Sequence, residues 1–469
     1  MIGAEWSLLR REPHLKWGAI ALLLLVAVAA WNGRMLLESR TNDASLALQE
    51  SRETIDALAV QAGNGNATAS SPGAAAFGAV SATIVRRSTT GEALAIGQTD
   101  LEASFQKLTA RNAYAALAAS APDNALRLAA GNFDVAFVLV WLIPLLMIAA
   151  FFDIIAGERE RGVLALAVVA GAAASRYLWA KWLTRTLASI GVTWLAVALA
   201  IAVGERSWTA ETAMTLAGWG VVLSAYVFFW AALALACNVG RGNSERHAAV
   251  LAAAWLTLVI LLPAAINLLV TNVFPAPSRV ELAAQLREAT EAADRAAAKD
   301  RDRWFFDHPD LRSGEAERAA YYRSVAASER VITDAITPQL SAFESRAAER
   351  RALTRRLQWL SPAATTHDAL TILSHTDGES QATFRTALLK FHARWQTFFF
   401  ERIDGDRLLT RDDYARLPTF ESPPTSSLRA LQSASTNVLV LLAISALLCI
   451  YCGIRLTRLD TIPPQQEGG

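Results

Sequence analysis

Cysteine, lysine and charge are all scarce in this chain, and each scarcity excludes something. Three cysteines, Cys237, Cys449 and Cys452, all lie in apolar segments, so no polar region of the chain can be held by disulfides. Cys449 and Cys452 read C-x-x-C, but on an apolar helix that spacing is one turn, and it carries no metal or redox reading. None of the five lysines, Lys16, Lys107, Lys181, Lys299 and Lys390, follows a glycine. A phosphate loop needs Gly-Lys followed by Ser or Thr, so the chain is not itself a P-loop ATPase. The six histidines form no H-x-x-x-H pair, and no G-x-S-x-G nucleophile setting occurs. Asp404-Gly405-Asp406 faintly resembles a calcium loop. In that register Arg407 would fall at the obligatory glycine, so it reads as a solvated turn. Only 19% of residues are charged, against about 25% in soluble domains. Lys and Arg total 44 and Asp and Glu 43, so no basic surplus points to nucleic acid.

What is abundant is apolar sequence, 53% of the chain, gathered into runs of membrane-spanning length. A bilayer core of about 30 Å takes about 20 helical residues. Six segments fit: 17–33, 133–155, 186–203, 213–236, 248–270 and 438–454. The first also has the shape of a signal peptide, with Ala27-Val28-Ala29 as its cleavage site. Helical patterning that continues beyond Arg34 argues for a retained span.

Basic flanks set the orientation. With the N-terminus inside, the inner flanks 1–16, 157–185, 237–247 and 455–469 carry Arg10, Arg11, Lys16, Arg159, Arg161, Arg176, Lys181, Arg185, Arg241, Arg246, Arg455 and Arg458. The one short outer loop, 204–211, carries only Arg206. Both termini are therefore expected in the cytoplasm, and two long polar stretches, 34–132 and 273–437, outside. The first stretch is predicted to hold a helix over 35–61, a short strand at 82–86 and a helix over 101–117. The second is predicted to be almost all helix, with a break near Pro338, a restart at Ser361-Pro362 and a turn at Asp377-Gly378. The stripe Phe384, Phe391, Trp395, Phe398, Phe399 and Phe400 reads as core. The fold class expected is an all-α membrane protein of six transmembrane helices, with a large, mainly helical extracytoplasmic domain built from two insertions.

One box stands apart. Gly157, Glu158, Arg159, Glu160, Arg161 and Gly162 follow the second span directly. An Ala-rich apolar segment, 163–174, comes next, followed by Arg176 and Lys181. That segment is too apolar for a free loop and too short for a two-span excursion. It is expected as an interfacial helix on the cytoplasmic face.

At this box the chain resembles ABC-2 type transporter permeases. It is similar in particular to the subfamily carrying the DUF3526 domain. The residues that carry this are 94–100, 131–134, Pro144-Leu145-Leu146, Trp359 to Ala363, Phe391-His392 with Trp395, Phe398 and Phe399, and Leu417 to Phe420. The Ala-rich run after Gly162 departs from the more varied segment of such relatives. The resemblance implies a non-catalytic permease subunit of a bacterial inner membrane, with its large domain periplasmic. It implies a dimer, with a second copy or a related permease. It also implies a separate cytoplasmic ABC ATPase that holds ATP and Mg, so this chain itself takes no cofactor. Gly157, Glu158, Arg159, Glu160, Arg161, Gly162 and Lys181 are the expected ATPase-coupling residues. Two rival functions are mechanotransmission to a periplasmic or outer-membrane partner and a passive membrane scaffold.

Overall fold

The computed structural model describes residues 5–6, 9, 11–97, 103–111, 133–163, 166, 174–205, 207–240, 242–275 and 279–460. Six of its helices are long and apolar enough to cross a membrane. Helix α1 (Pro13–Gly63) runs unbroken past the expected end of the first span. At 1.5 Å per residue its 51 residues reach about 76 Å, more than twice a bilayer core. The next helices are α2 (Val135–Phe151), the short α3 (Ala156–Glu160), α4 (Ala174–Gly204) and α5 (Ala210–Asn238). The fifth spanning helix is composite. It consists of α6 (Ser244–Trp255), a widened π segment (Leu256–Leu261) and α7 (Leu262–Val273). The polar arm follows as α8 (Arg279–Asp307) and α9 (Gly314–Leu357), then α10 (Pro362–Leu373) and α11 (Gly378–Asp404). After the short α12 (Arg411–Ala415), the chain closes with α13 (Ser427–Asp460).

Helix α5 is the axis of the apolar bundle, packed against α2, α4, α10 and α13. Trp219, Tyr226 and Trp230 along it are fully buried. Spanning helices gain little from apolar contact alone, so close fit and satisfied backbone groups decide their packing. Pro144 inside α2 has no N–H to offer the Val140 carbonyl, and the Tyr226 hydroxyl donates to that carbonyl at 2.9 Å. In the widened turn of the fifth span, the Leu258 carbonyl accepts from the Ser361 hydroxyl at 2.7 Å. Ser361 also caps α10, accepting from the Ala364 amide. Helix α10 thus lies against the bundle although its sequence sits inside the second polar stretch. Ala363, Ala369, Leu370 and Leu373 belong to the bundle's own buried core.

A second core forms from both polar stretches together. Ala62, Ala69, Ala75, Ala76 and Ile84 come from the first, and Leu388, Phe391, Trp395, Phe399 and Phe400 from the second. The aromatic stripe of α11 is therefore core, with Trp395 edge-on to Phe399 and Phe391 edge-on to Phe420 of the following loop. Gly73 sits where a Cβ would lie 2.0 Å from the Tyr322 ring, so the turn and α9 can approach only there. Beyond this core α8 and α9 form an antiparallel arm, closed by Leu286, Ala293, Ile332 and Ile336.

Two sequence expectations need correction. The expected helix over 101–117 is, in its described part, the strand β2 (Phe105–Leu108). It pairs antiparallel with β1 (Ala82–Val85), Ala82 opposite Leu108 and Val85 opposite Phe105. Residues 101–102 and 112–117 lie outside the described residues. The backbone of β1 supplies partners that no helix propensity could reveal. The break expected at Pro338 is absent: α9 continues through it. Asp334, four residues earlier, is solvent-exposed, so the carbonyl that loses its N–H partner is left where water can reach it.

Candidate functional site

The charged box lies where α2, α4 and the α5–α6 connection meet. Helix α2 ends at Phe151, and four turn residues lead into α3, which carries Gly157 to Glu160. The turn is held by Asn238 at the end of α5, whose amide donates to the Phe151 carbonyl at 3.1 Å. Gly157 is buried, and a Cβ there would meet the Asp153 carboxylate at 2.8 Å and Arg161 at 2.9 Å. Gly162 stands at φ 74°, the left-handed region, and releases the chain from α3.

Glu158 is the hub. It accepts from Lys181 Nζ at 2.5 Å, from the Tyr177 hydroxyl at 3.1 Å and from Arg161 at 3.3 Å. The Lys181 and Glu158 side chains are only 3% and 9% exposed, so this is a buried ion pair whose spare lone pairs are filled. Glu160 instead reaches the next connection. It accepts from the Ser244 amide at 2.7 Å and the Ser244 hydroxyl at 2.9 Å, at the first residue of α6. Arg161 is half exposed and spans Glu158 and Asp153. Arg159 faces solvent, as do Val163 and Leu166 just beyond it. The remainder of 164–173, where the interfacial helix is expected, lies outside the described residues.

Arg185 belongs to the same site, one helical turn beyond Lys181. It pairs with Glu5 at 3.2 Å and Glu12 at 3.2 Å, approaches Asp153 at 3.7 Å and donates to the Ala150 carbonyl. The N-terminal segment is thereby tied to α4 and to the end of α2. Tyr177 and Arg185 as members of this network are not evident from motif reading. Their signal is spacing: 177, 181 and 185 fall on one face of a helix. The box is thus divided. Glu158 and Lys181 lock α3 to α4, Glu160 locks α3 to α6, and Arg159 and Arg161 remain on the surface.

The motifs near the opposite end of the bundle are structural joints. Leu94 and Ala95 are buried in the bundle core. The Asp134 carboxylate accepts from the Ile96 amide at 3.0 Å and caps α2 through Phe137 at 2.7 Å. The Ala136 amide donates to the Leu94 carbonyl at 3.0 Å. His392 on α11 contacts the Arg111 carbonyl at 2.7 Å, and burial lowers its imidazole below the ordinary range. Residues 98–100, 131 and 132 lie outside the described residues.

A family model described as a domain of unknown function, DUF3526, matches residues 279–422. The match opens at the first residue of α8 and takes in the arm, α10, the aromatic helix and α12. No curated protein and no solved structure matches the chain.

Proposed function

We propose that the chain is the membrane-spanning, non-catalytic subunit of an ATP-driven ABC-2 type permease in a bacterial inner membrane. In this reading both termini and the charged box face the cytoplasm, and the two polar stretches form one periplasmic module. The subunit works as a dimer, with itself or a related permease. A separate cytoplasmic ATPase holds ATP and Mg and docks at Arg159, Arg161 and the segment beginning at Val163. Nucleotide-driven closure of the ATPases shifts the bundle between two arrangements.

The observation that supports this reading best is the division of the box. A surface cation and two exposed apolar residues, Arg159, Val163 and Leu166, sit on a turn fixed to α4 by the buried Glu158–Lys181 pair and to the start of α6 by the exposed Glu160 carboxylate. Force applied at that turn is delivered directly to two spanning helices. Such a site is a lever with a contact face, and it needs no reactive group.

A second reading, mechanotransmission without transport, is favoured by α1 and α10. Helix α1 is continuous from the bundle into the second core. Helix α10 returns from the arm to pack on α5 and α13. Both elements would carry bundle movement into the module.

The test is native co-purification. Arg159→Glu with Leu166→Asp alters only exposed positions and should leave insertion and abundance unchanged. Capture of the partner ATPase should fall about tenfold, equivalent to about 1.4 kcal/mol. Arg312→Glu with Leu408→Asp, exposed on the polar module, is the control. Capture equal to the control would remove the docking role from this turn.

A further inference from the structure

A cavity of about 460 Å³ lies where the bundle meets the polar module, and the coupling reading makes no use of it. One wall is the end of α9 and α10 with the start of α13. The other is the turn after β1 and the loop leading into α13. Four arginines line it: Arg86, Arg87, Arg355 and Arg429. Two are committed, Arg86 to Glu92 and Arg355 to Glu379. Arg87 and Arg429 are exposed and make no ion pair among the described residues.

The carboxylates of the cavity are already occupied. Asp368 accepts from Gln358 at 2.8 Å and from Asn437 at 2.9 Å. Asp377 caps α11 and accepts from the Ser380 hydroxyl at 2.5 Å. Glu379 holds Arg355 at 2.9 Å. Asp368 and Asp377 keep their charge, so the formal charges of the cavity balance, but their oxygens are engaged by Gln358, Asn437 and Ser380. The donors left without an ionic partner among the described residues are the guanidinium groups of Arg87 and Arg429, which favour phosphate or carboxylate oxygens.

The apolar wall narrows the ligand further. Trp359 lines the cavity and is 40% exposed, and Leu360 beside it is 60% exposed. The next residue is Ser361, whose hydroxyl bonds Leu258 within the fifth spanning helix. Trp359 and Leu360 thus lie beside the apolar bundle, while Arg87 and Arg429 lie toward the polar module. A charged pocket opening beside a lipid-level apolar strip has the polarity gradient of a headgroup and its chain.

We propose that this cavity binds an anionic amphiphile, its phosphate or carboxylate headgroup held by Arg87 and Arg429 and its chain lying along Trp359 and Leu360. The site rests on the spanning helices and is independent of the ATPase. It gives the junction between bundle and module a ligand drawn from the surrounding lipid layer.

The test uses the full chain in nanodiscs of phosphatidylglycerol and phosphatidylcholine, with retained lipid counted by native mass spectrometry. Phosphatidylglycerol should be enriched about tenfold on the wild-type chain. Arg87→Gln with Arg429→Gln should abolish that enrichment, whereas Arg87→Lys with Arg429→Lys should largely keep it. Arg312→Gln with Arg346→Gln, on the arm, should leave it unchanged. Trp359→Ala should weaken retention of the lipid but leave competition by inorganic phosphate unaltered. Equal retention of the two lipids, or wild-type enrichment in the Arg87/Arg429 glutamine variant, would overturn the proposal. Displacement by inorganic phosphate at the same concentration as a short-chain phosphatidylglycerol would mark a free-anion site and overturn it too. So would efficient cross-linking of two copies through Ser433→Cys, which would place a second chain over the cavity.

Discussion

Glu158 has three donors and almost no exposure, and that changes what its replacement should do. Glu158→Gln leaves Lys181 buried beside a neutral amide, and breaking a buried pair in this way costs about 3–5 kcal/mol. Thermal unfolding in detergent should register a lower midpoint. Glu158→Gln with Lys181→Met should recover much of it, because no isolated charge is left. An unchanged midpoint in the single variant would mean that the pair is not formed. His392 makes the opposite kind of statement, through pH. Burial lowers its imidazole below the ordinary 6.5, although the Arg111 and Thr109 carbonyls oppose the shift. The folded chain therefore binds fewer protons than the unfolded chain once pH falls through 6.5, and stability declines there. Replacing His392 by Gln should flatten that decline between pH 7 and pH 5 in a melting series. At this scale the box was legible as a cluster of charges beside a span. Its internal division was not, because Lys181 and Ser244, which claim Glu158 and Glu160, lie far along the chain from them.

The spanning helices were legible because a lipid core demands about 20 apolar residues, and little else in the chain supplies them. Their ends were legible only in part. The continuation of α1 was legible in the helical pattern beyond Arg34, and the helix runs to Gly63. Helix α13 begins at Ser427, ahead of the expected 438, since nothing in the polar flank stops a helix where the membrane stops. The site of α10 was hidden for another reason. Its Thr- and Ala-rich sequence is compatible with either environment, and only the Ser361 bond to Leu258 and the small residues beneath it decide the matter. Strand β2 was misread because its partner strand, not its own propensity, determines it. Gly33 tests the packing of α1 directly. A Cβ there would lie 1.9 Å from the Ala93 carbonyl oxygen, a backbone atom that cannot swing aside. Gly33→Ala should destabilise the chain by about 1–3 kcal/mol, whereas Gly191→Ala, which meets nothing within 4 Å, should not. Equal melting of the two variants would show that α1 does not press on the 91–95 turn.

At the scale of the molecule, one end of the bundle gathers the basic flanks, through Arg185 with Glu5 and Glu12 and through Glu160 with Ser244. The polar stretches leave from the other end and share a core of their own. The proposed function needs those two ends on opposite sides of the membrane. Accessibility of single cysteines measures this most directly. In a chain with Cys237, Cys449 and Cys452 replaced by Ala, the exposed positions Ser45, Ser313 and Glu245 are each changed to Cys in turn. An impermeant thiol reagent applied to intact spheroplasts should label Ser45→Cys and Ser313→Cys. It should reach Glu245→Cys only after the membrane is opened. Labelling of Glu245→Cys in sealed spheroplasts, with Ser45→Cys and Ser313→Cys protected, would put the charged box outside, beyond the reach of any cytoplasmic ATPase.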